Sequence, residues 1–187
     1  MNSLPRRLTL IYQLHMYGVQ GYKTIAYEIY EDLQGVMPDW VLVPASRGDM
    51  LWGIYQGFQD LQDIKKIGKL PRLIAVEPIE RIQKVLKGAD YRSSFTGDYA
   101  LTTSIGGNTV TYQAIEAINN SNGTAVSVRQ KEVPANIKEL SSHGLYLESS
   151  SATIIGALKK LLDQGVIAKS DRVVMIASSN GYKDFPE

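Results

Sequence analysis

The chain contains no cysteine. That excludes disulfides, thiolate metal centres and a cysteine nucleophile, and it suits a reducing compartment, so a cytoplasmic protein is expected. Histidine is almost as scarce. His15 and His143 stand far apart, with no Asp or Cys neighbour at ligand spacing, which argues against a metal site or a Ser-His-Asp triad. An excess of charge of either sign is also missing. The formal net charge is +1, so no nucleic-acid or membrane footprint is expected. No uninterrupted apolar run approaches the ~20 residues that span a bilayer. The opening Met1-Asn-Ser-Leu-Pro-Arg-Arg7 followed by Leu8-Thr-Leu-Ile-Tyr-Gln-Leu14 is basic and then apolar. Its apolar part is short, interrupted by polar residues and without a small-residue cleavage site, so it is not read as a secretory signal.

What is present is an ordinary globular composition. Apolar residues make up 44% and charged residues 21% of 187, enough for one domain with a substantial core or two small ones. Residues 1–20 carry neither helical nor strand periodicity and read as a loose lead-in. From Tyr22 the pattern sharpens: Ile25, Ala26, Ile29 and Leu33 fall at helical spacing until Gly35 and Pro38. Residues 40–43 are a continuous apolar run, as in a strand covered on both faces. Helical spacing returns over 49–61, a second buried strand over 73–76, and a short helix over 79–86. Residues 88–108 are loop-rich. Helices are then predicted over 111–119, 132–140 and 149–162, with Ser149, Ser150 and Ser151 as candidate N-caps for the last. Strands are predicted over 124–128 and, buried, over 172–176; residues 145–147 form a brief extended segment. Alternating strands and helices build an α/β fold: a three-layer parallel sheet with helices on both faces. In such sheets ligands sit at the carboxyl ends of strands.

Two loops lie at such ends. Ser46-Arg47-Gly48-Asp49 separates the first strand from its helix. A small-residue turn there points unpaired N–H groups and the positive end of a helix dipole at one spot, where phosphate is the usual occupant. The plainer reading is a βα turn in which Asp49 caps the helix and itself fills part of the anion site. It is not a Walker loop, since no Gly-Lys-Ser/Thr follows. Ser178-Ser179-Asn180-Gly181 follows the last strand; it is either a polar turn or a hydroxyl aimed at a ligand heteroatom. Residues 18–24 read as a ligand-side loop or as a glycine-flanked helix start with Lys23 as a solvated charge. Glu77 and Glu148 each end a short strand, as acid–base groups or as caps and ion-pair partners.

Six segments resemble threonine synthase in residues and order: Gly21-Tyr-Lys-Thr-Ile-Ala-Tyr-Glu-Ile29, Pro38-Asp-Trp-Val-Leu-Val-Pro44, Pro71-Arg-Leu-Ile-Ala-Val-Glu-Pro78, Gly123-Thr-Ala-Val-Ser-Val128, Gly144-Leu-Tyr-Leu-Glu148 and Asp171-Arg-Val-Val-Met-Ile-Ala-Ser-Ser-Asn-Gly-Tyr-Lys-Asp184. The resemblance covers residues 17–187, leaves 1–16 as a poorly matched lead-in, and places the chain with the pyridoxal-phosphate enzymes of the tryptophan synthase β superfamily, of fold type II. It implies pyridoxal 5′-phosphate as cofactor. It puts the family's glycine-rich phosphate loop on Ser46, Arg47, Gly48 and Asp49, degenerate because two usual glycines are Ser46 and Asp49. It puts the hydroxyl that faces the pyridine nitrogen on Ser178, a partner suited to a neutral ring. Ser104-Ile-Gly-Gly-Asn108 falls where the family has a small-residue loop near the site.

The family's Schiff-base lysine sits in a Ser-Phe-Lys-Asp-like motif, and no such motif occurs here. The resemblance therefore implies a C-terminal half that lacks the lysine: a lyase by descent, acting on a small amino-acid substrate as in the conversion of O-phosphohomoserine to threonine, and inactive alone. The alternatives are an inactive cofactor- or partner-binding module, and a related deaminase or β-replacement enzyme. Apolar surface meant for a missing half implies self-association or pairing with that half.

Overall fold

The computed structural model describes residues 16–183. Strands β1 (Trp40–Pro44), β2 (Arg72–Glu77), β3 (Thr124–Ser127) and β4 (Val173–Met175) form one sheet in the order β3-β2-β1-β4, with every pair parallel. Parallel neighbours require long crossovers. These are supplied by α3 (Asp49–Asp63), α5 (Tyr112–Asn120), α6 (Val133–Ser142) and α7 (Thr153–Asp163). Successive strand side chains point to opposite faces. Val41, Val43, Leu73, Ala75 and Ala125 enter a core shared with α2 (Lys23–Asp32), α3 and α5. Trp40, Leu42, Ile74, Val76 and Val126 enter a second core under α7. Both faces are covered, which is why the strands read as unbroken apolar runs. The three-layer architecture is the one expected.

The differences are local. A short helix α1 (Met16–Gly21) stands where no periodicity was read, and it docks on α3. A Cβ added at Gly53 would lie 2.7 Å from the Val19 carbonyl oxygen, and one at Gly57 would lie 2.5 Å from that of Lys23. Only glycine at both positions lets α1 and α2 come this close. Of the 1–16 lead-in, residues 1–15, His15 among them, lie outside the described residues. β4 is a half-buried edge strand rather than a buried one, because only β1 pairs with it. The helix after β2 is shorter than expected: α4 (Ile82–Leu86). Among the described residues no helix is long and apolar enough to cross a membrane.

Lys23 is not a solvated charge. Its Nζ lies 2.9 Å from Asp60 Oδ2, and the Tyr27 hydroxyl donates to the same oxygen at 2.6 Å. Burial pushes the Asp60 carboxyl up, but the hydrogen bonds from Tyr27 and Lys23 outweigh it and hold its pKa below the usual carboxylate range. The bond to Asp60, with burial behind it, pushes the Tyr27 phenol up to about 12. A carboxylate depressed in the folded state adds stability that is complete above its unfolded pKa and is lost as pH falls through the folded one. The pair is partly exposed, so Asp60→Asn is expected to cost at most about 1 kcal/mol at neutral pH. The difference should close as pH drops below about 4. Thermal midpoints of both proteins across acid pH check this; a gap that stays constant into strong acid would refute the pairing.

Candidate functional site

β1 hands the chain through Ala45 into Ser46-Arg47-Gly48, and α3 begins at Asp49. Gly48 is the N-cap residue, with φ of +109°, and no side chain caps this helix. Asp49 is therefore not the cap the sequence suggested; it is the first helical residue. A Cβ at Gly48 would stand 2.3 Å from the Ala114 Cβ, so both the backbone conformation and the packing of α5 demand glycine. The Arg47 carbonyl accepts from the Thr111 N–H and, at 2.9 Å, from its hydroxyl, which pins the loop to the start of α5. None of the N–H groups from Ser46 to Leu51 donates to an acceptor among the described residues.

The second loop is brought here by a short antiparallel contact. Glu148 N–H donates to the Ser179 carbonyl, Gly181 N–H donates to that of Tyr146, and Leu147 bridges Asn180. The extended segment at 145–147 thereby sets Glu148 beside Ser178. A cavity of about 240 Å³ lies between the two loops. Ser46, Gly48 and Asp49 line one side, Ser178, Ser179 and Lys183 another, and Ser104, Ile105 and Glu148 a third. Of the five residues singled out in sequence, Ser46, Gly48, Asp49 and Ser178 thus converge. The fifth, Arg47, is exposed and contributes no side chain to the lining.

The lining is mixed, and the hydroxyls of Ser46, Ser104 and Ser178 are hydrogen-bonded within the protein. Ser46 donates to the Gly106 carbonyl at 2.9 Å, so its hydroxyl shapes the wall. Ser104 Oγ lies 2.5 Å from Glu148 Oε1 and 2.6 Å from Ser150 Oγ. Ser104 is the donor toward both, and its single proton favours the carboxylate, the stronger acceptor. Ser151 Oγ accepts from the Ser179 N–H at 3.0 Å and lies 2.8 Å from Ser178 Oγ. Two of the three serines expected to cap α7, Ser150 and Ser151, thus bond cavity-lining residues from behind, and the N-cap residue is Ala152, without a side-chain cap. Lys183 Nζ stands 4.0 Å from the second Glu148 oxygen. Burial pushes the Asp49 carboxyl up, with Arg47 opposing.

The two glutamates part company. Glu148 faces the cavity, whereas Glu77 is fully buried and accepts from the Ile82 and Gln83 N–H groups, both at 2.9 Å, as the cap of α4. Beside it is the residue that sequence reasoning missed. Arg81 is also fully buried, and its Nε lies 3.6 Å from Glu77 Oε2. Its Nη1 donates to the Gly106 and Gly107 carbonyls at 3.2 and 2.9 Å, and its Nη2 to those of Ala45 and Ile105 at 3.1 and 3.0 Å. It ties the 105–107 loop to the end of β1 and so holds one cavity wall. Burial pushes the Glu77 carboxyl up and disfavours the guanidinium charge, yet Arg81 stays protonated because a guanidinium does not lose its proton in a protein. No local pattern signalled it: Glu77 closes β2 and Arg81 precedes α4, so their four-residue spacing is not a helix-face pair.

A family model described as "Pyridoxal-phosphate dependent enzyme" matches residues 5–179. Threonine synthase of Methanocaldococcus jannaschii is 31% identical over 181 residues, covering 94% of this chain and 45% of that protein. Threonine synthase of Methanosarcina acetivorans is 30% identical over 184 residues, covering 95% and 45%. The chain spans about half the length of these curated relatives. Among solved structures, a fungal L-serine ammonia-lyase from Rhizomucor miehei superposes with a TM-score of 0.70 at 18% identity, covering 89% of this chain and 53% of that one. Threonine deaminase isoform 2 from Solanum lycopersicum gives 0.68 at 23%, covering 87% and 46%. At these identities the structural likeness bears on the fold, which is that of the fold-type II enzymes.

Proposed function

The chain belongs to the pyridoxal-phosphate dependent enzyme family, whose cofactor is pyridoxal 5′-phosphate, and from that membership we propose that it carries the cofactor grip of a threonine synthase-like lyase without the anchoring lysine. The observation behind the reading is the convergence of Gly48 and Ser178 on one cavity. The residues fit the cofactor in two places. The N–H groups from Ser46 to Leu51, without acceptors among the described residues, stand at the positive end of the 15-residue α3 and suit its phosphate. The Ser178 hydroxyl suits its ring nitrogen. Asp49 is the misfit, a carboxyl beside the anion.

When bound, the cofactor supplies an electron sink for carbanion chemistry. The chain's own residues do the rest. The α3 loop fixes one end of the ligand and Ser178 the other, and the loop held by Arg81 closes a wall against water. Glu148, fixed by Ser104 on one oxygen, presents the other as a proton acceptor near Lys183. The proposed substrate is a phosphorylated amino acid of the O-phosphohomoserine kind, in the cytoplasm. Support for this over deamination is the 30–31% identity to two threonine synthases.

A second reading, an inactive cofactor- or partner-binding module, rests on where the lysines lie. Lys23 is held by Asp60, and Lys183 is the one lysine among the residues lining the cavity. Both readings make the purified chain inactive on O-phosphohomoserine. Pyridoxal phosphate at ~100 times its Kd is expected to stabilise the chain by about 2.7 kcal/mol, and pyridoxal without phosphate far less. Thermal shift with both ligands and a threonine-formation assay test this. Equal shifts would remove the phosphate loop from the reading, and turnover by the chain alone would end the claim of inactivity.

A further inference from the structure

Ser151 is fully buried, and its hydroxyl has two neighbours: the Ser179 N–H, which can only donate to it, and the Ser178 hydroxyl at 2.8 Å. Its own proton needs an acceptor. Were Ser178 to donate to Ser151, the Ser151 oxygen would accept twice and its proton would be buried with no partner among the described residues. A buried donor left unsatisfied costs about 1–3 kcal/mol, so the opposite polarity wins. Ser151 donates to Ser178, and the Ser178 proton is left for the cavity. A hydroxyl that accepts a hydrogen bond is also polarised into a stronger donor.

We infer that Ser151 is a positioning residue that fixes the Ser178 hydroxyl as a hydrogen-bond donor into the cavity. This rests on the reading that Ser178 meets the ring nitrogen of pyridoxal phosphate. Ser151 does not touch the ligand; it acts through the hydroxyl it orients. Its anchor on the Ser179 N–H couples that orientation to the backbone of the loop carrying Ser178, so the donor direction is built into the fold.

The test uses the full chain loaded with pyridoxal phosphate labelled with ¹⁵N in the ring. The ¹⁵N chemical shift is followed against pH to find where the bound nitrogen takes up a proton. Ser178→Ala removes the donor and is expected to raise that pH by about one unit, a tenfold change, as loss of one hydrogen bond implies. Ser151→Ala and Ser151→Cys are expected to raise it by part of the same amount. The cysteine variant keeps the shape and offers only a weak donor, so it serves if the alanine variant does not fold. A structural role for Ser151 would change affinity without moving the nitrogen's titration. A rise in Ser178→Ala with none in either Ser151 variant overturns the inference and leaves the reading of Ser178 standing. No rise in Ser178→Ala, or no binding of the labelled ligand at all, overturns the reading itself and the inference with it.

Discussion

Replacing Arg81 by methionine is expected to lower the stability of the chain by about 3–5 kcal/mol, the range for breaking a buried ion pair by removing one partner. Against a total of roughly 5–15 kcal/mol for a domain, this approaches complete unfolding. The reason is what remains behind. The carbonyls of Ala45, Ile105, Gly106 and Gly107 lose their donors, and the fully buried Glu77 loses its counter-charge. Methionine fills much of the volume, so the loss is polar rather than a cavity. Adding Glu77→Gln should recover part of it, because an amide tolerates burial better than an uncompensated carboxylate. Urea denaturation of the three proteins measures this, with a midpoint drop of one to a few molar expected for a slope of about 1–3 kcal/mol/M. A single variant with an unchanged midpoint would show that the 105–107 loop holds without its clamp.

Asp49→Asn should strengthen binding of pyridoxal phosphate by about tenfold or more. A carboxylate about 5 Å from a phosphate, at an effective dielectric near 20, opposes it by roughly 3 kcal/mol per unit charge, part of which Arg47 screens. The change should have the opposite sign for the empty protein. An acidic residue in the first turn favours the helix dipole, so its removal should cost about 0.3–1 kcal/mol of stability. Burial already pushes the Asp49 carboxyl up. The protonated form is therefore reached at a higher pH than for a free carboxyl, and the advantage of the variant should shrink as pH falls. Titrations with pyridoxal phosphate and with pyridoxal, at two pH values, separate these effects. A gain equal for both ligands, or none for either, would show that no anion sits beside Asp49.

The fold was legible because both sheet faces are covered. All five residues of β1 are buried, and a strand buried on both sides needs no alternation to be recognised. The convergence of the two loops followed from their shared position at carboxyl ends of parallel strands. Other features were illegible for a common reason: the partners lie far away in sequence. Arg81 meets a carbonyl 36 positions back, and Ser104 meets a glutamate 44 positions on. Local pattern made Arg81 an unremarked residue in a short helix. It also made Ser150 and Ser151 helix caps, when their hydroxyls in fact bond Ser104, Ser178 and the Ser179 N–H. Lys23 was misjudged likewise, because Asp60 is brought to it only by the packing of α2 on α3.

The strand order has a temporal side. β4 joins the sheet only by pairing with β1, Leu42 opposite Met175, and Ser178 follows directly after it. On the ribosome, the α3 loop, β2 and β3 emerge long before that partner exists. A nascent chain therefore displays the α3 loop, the proposed anion cradle, with its opposite wall missing, and long-range pairing of this kind is the slow part of folding. Capture of a two-ended ligand, as proposed above, has to wait until β4 has emerged and paired with β1.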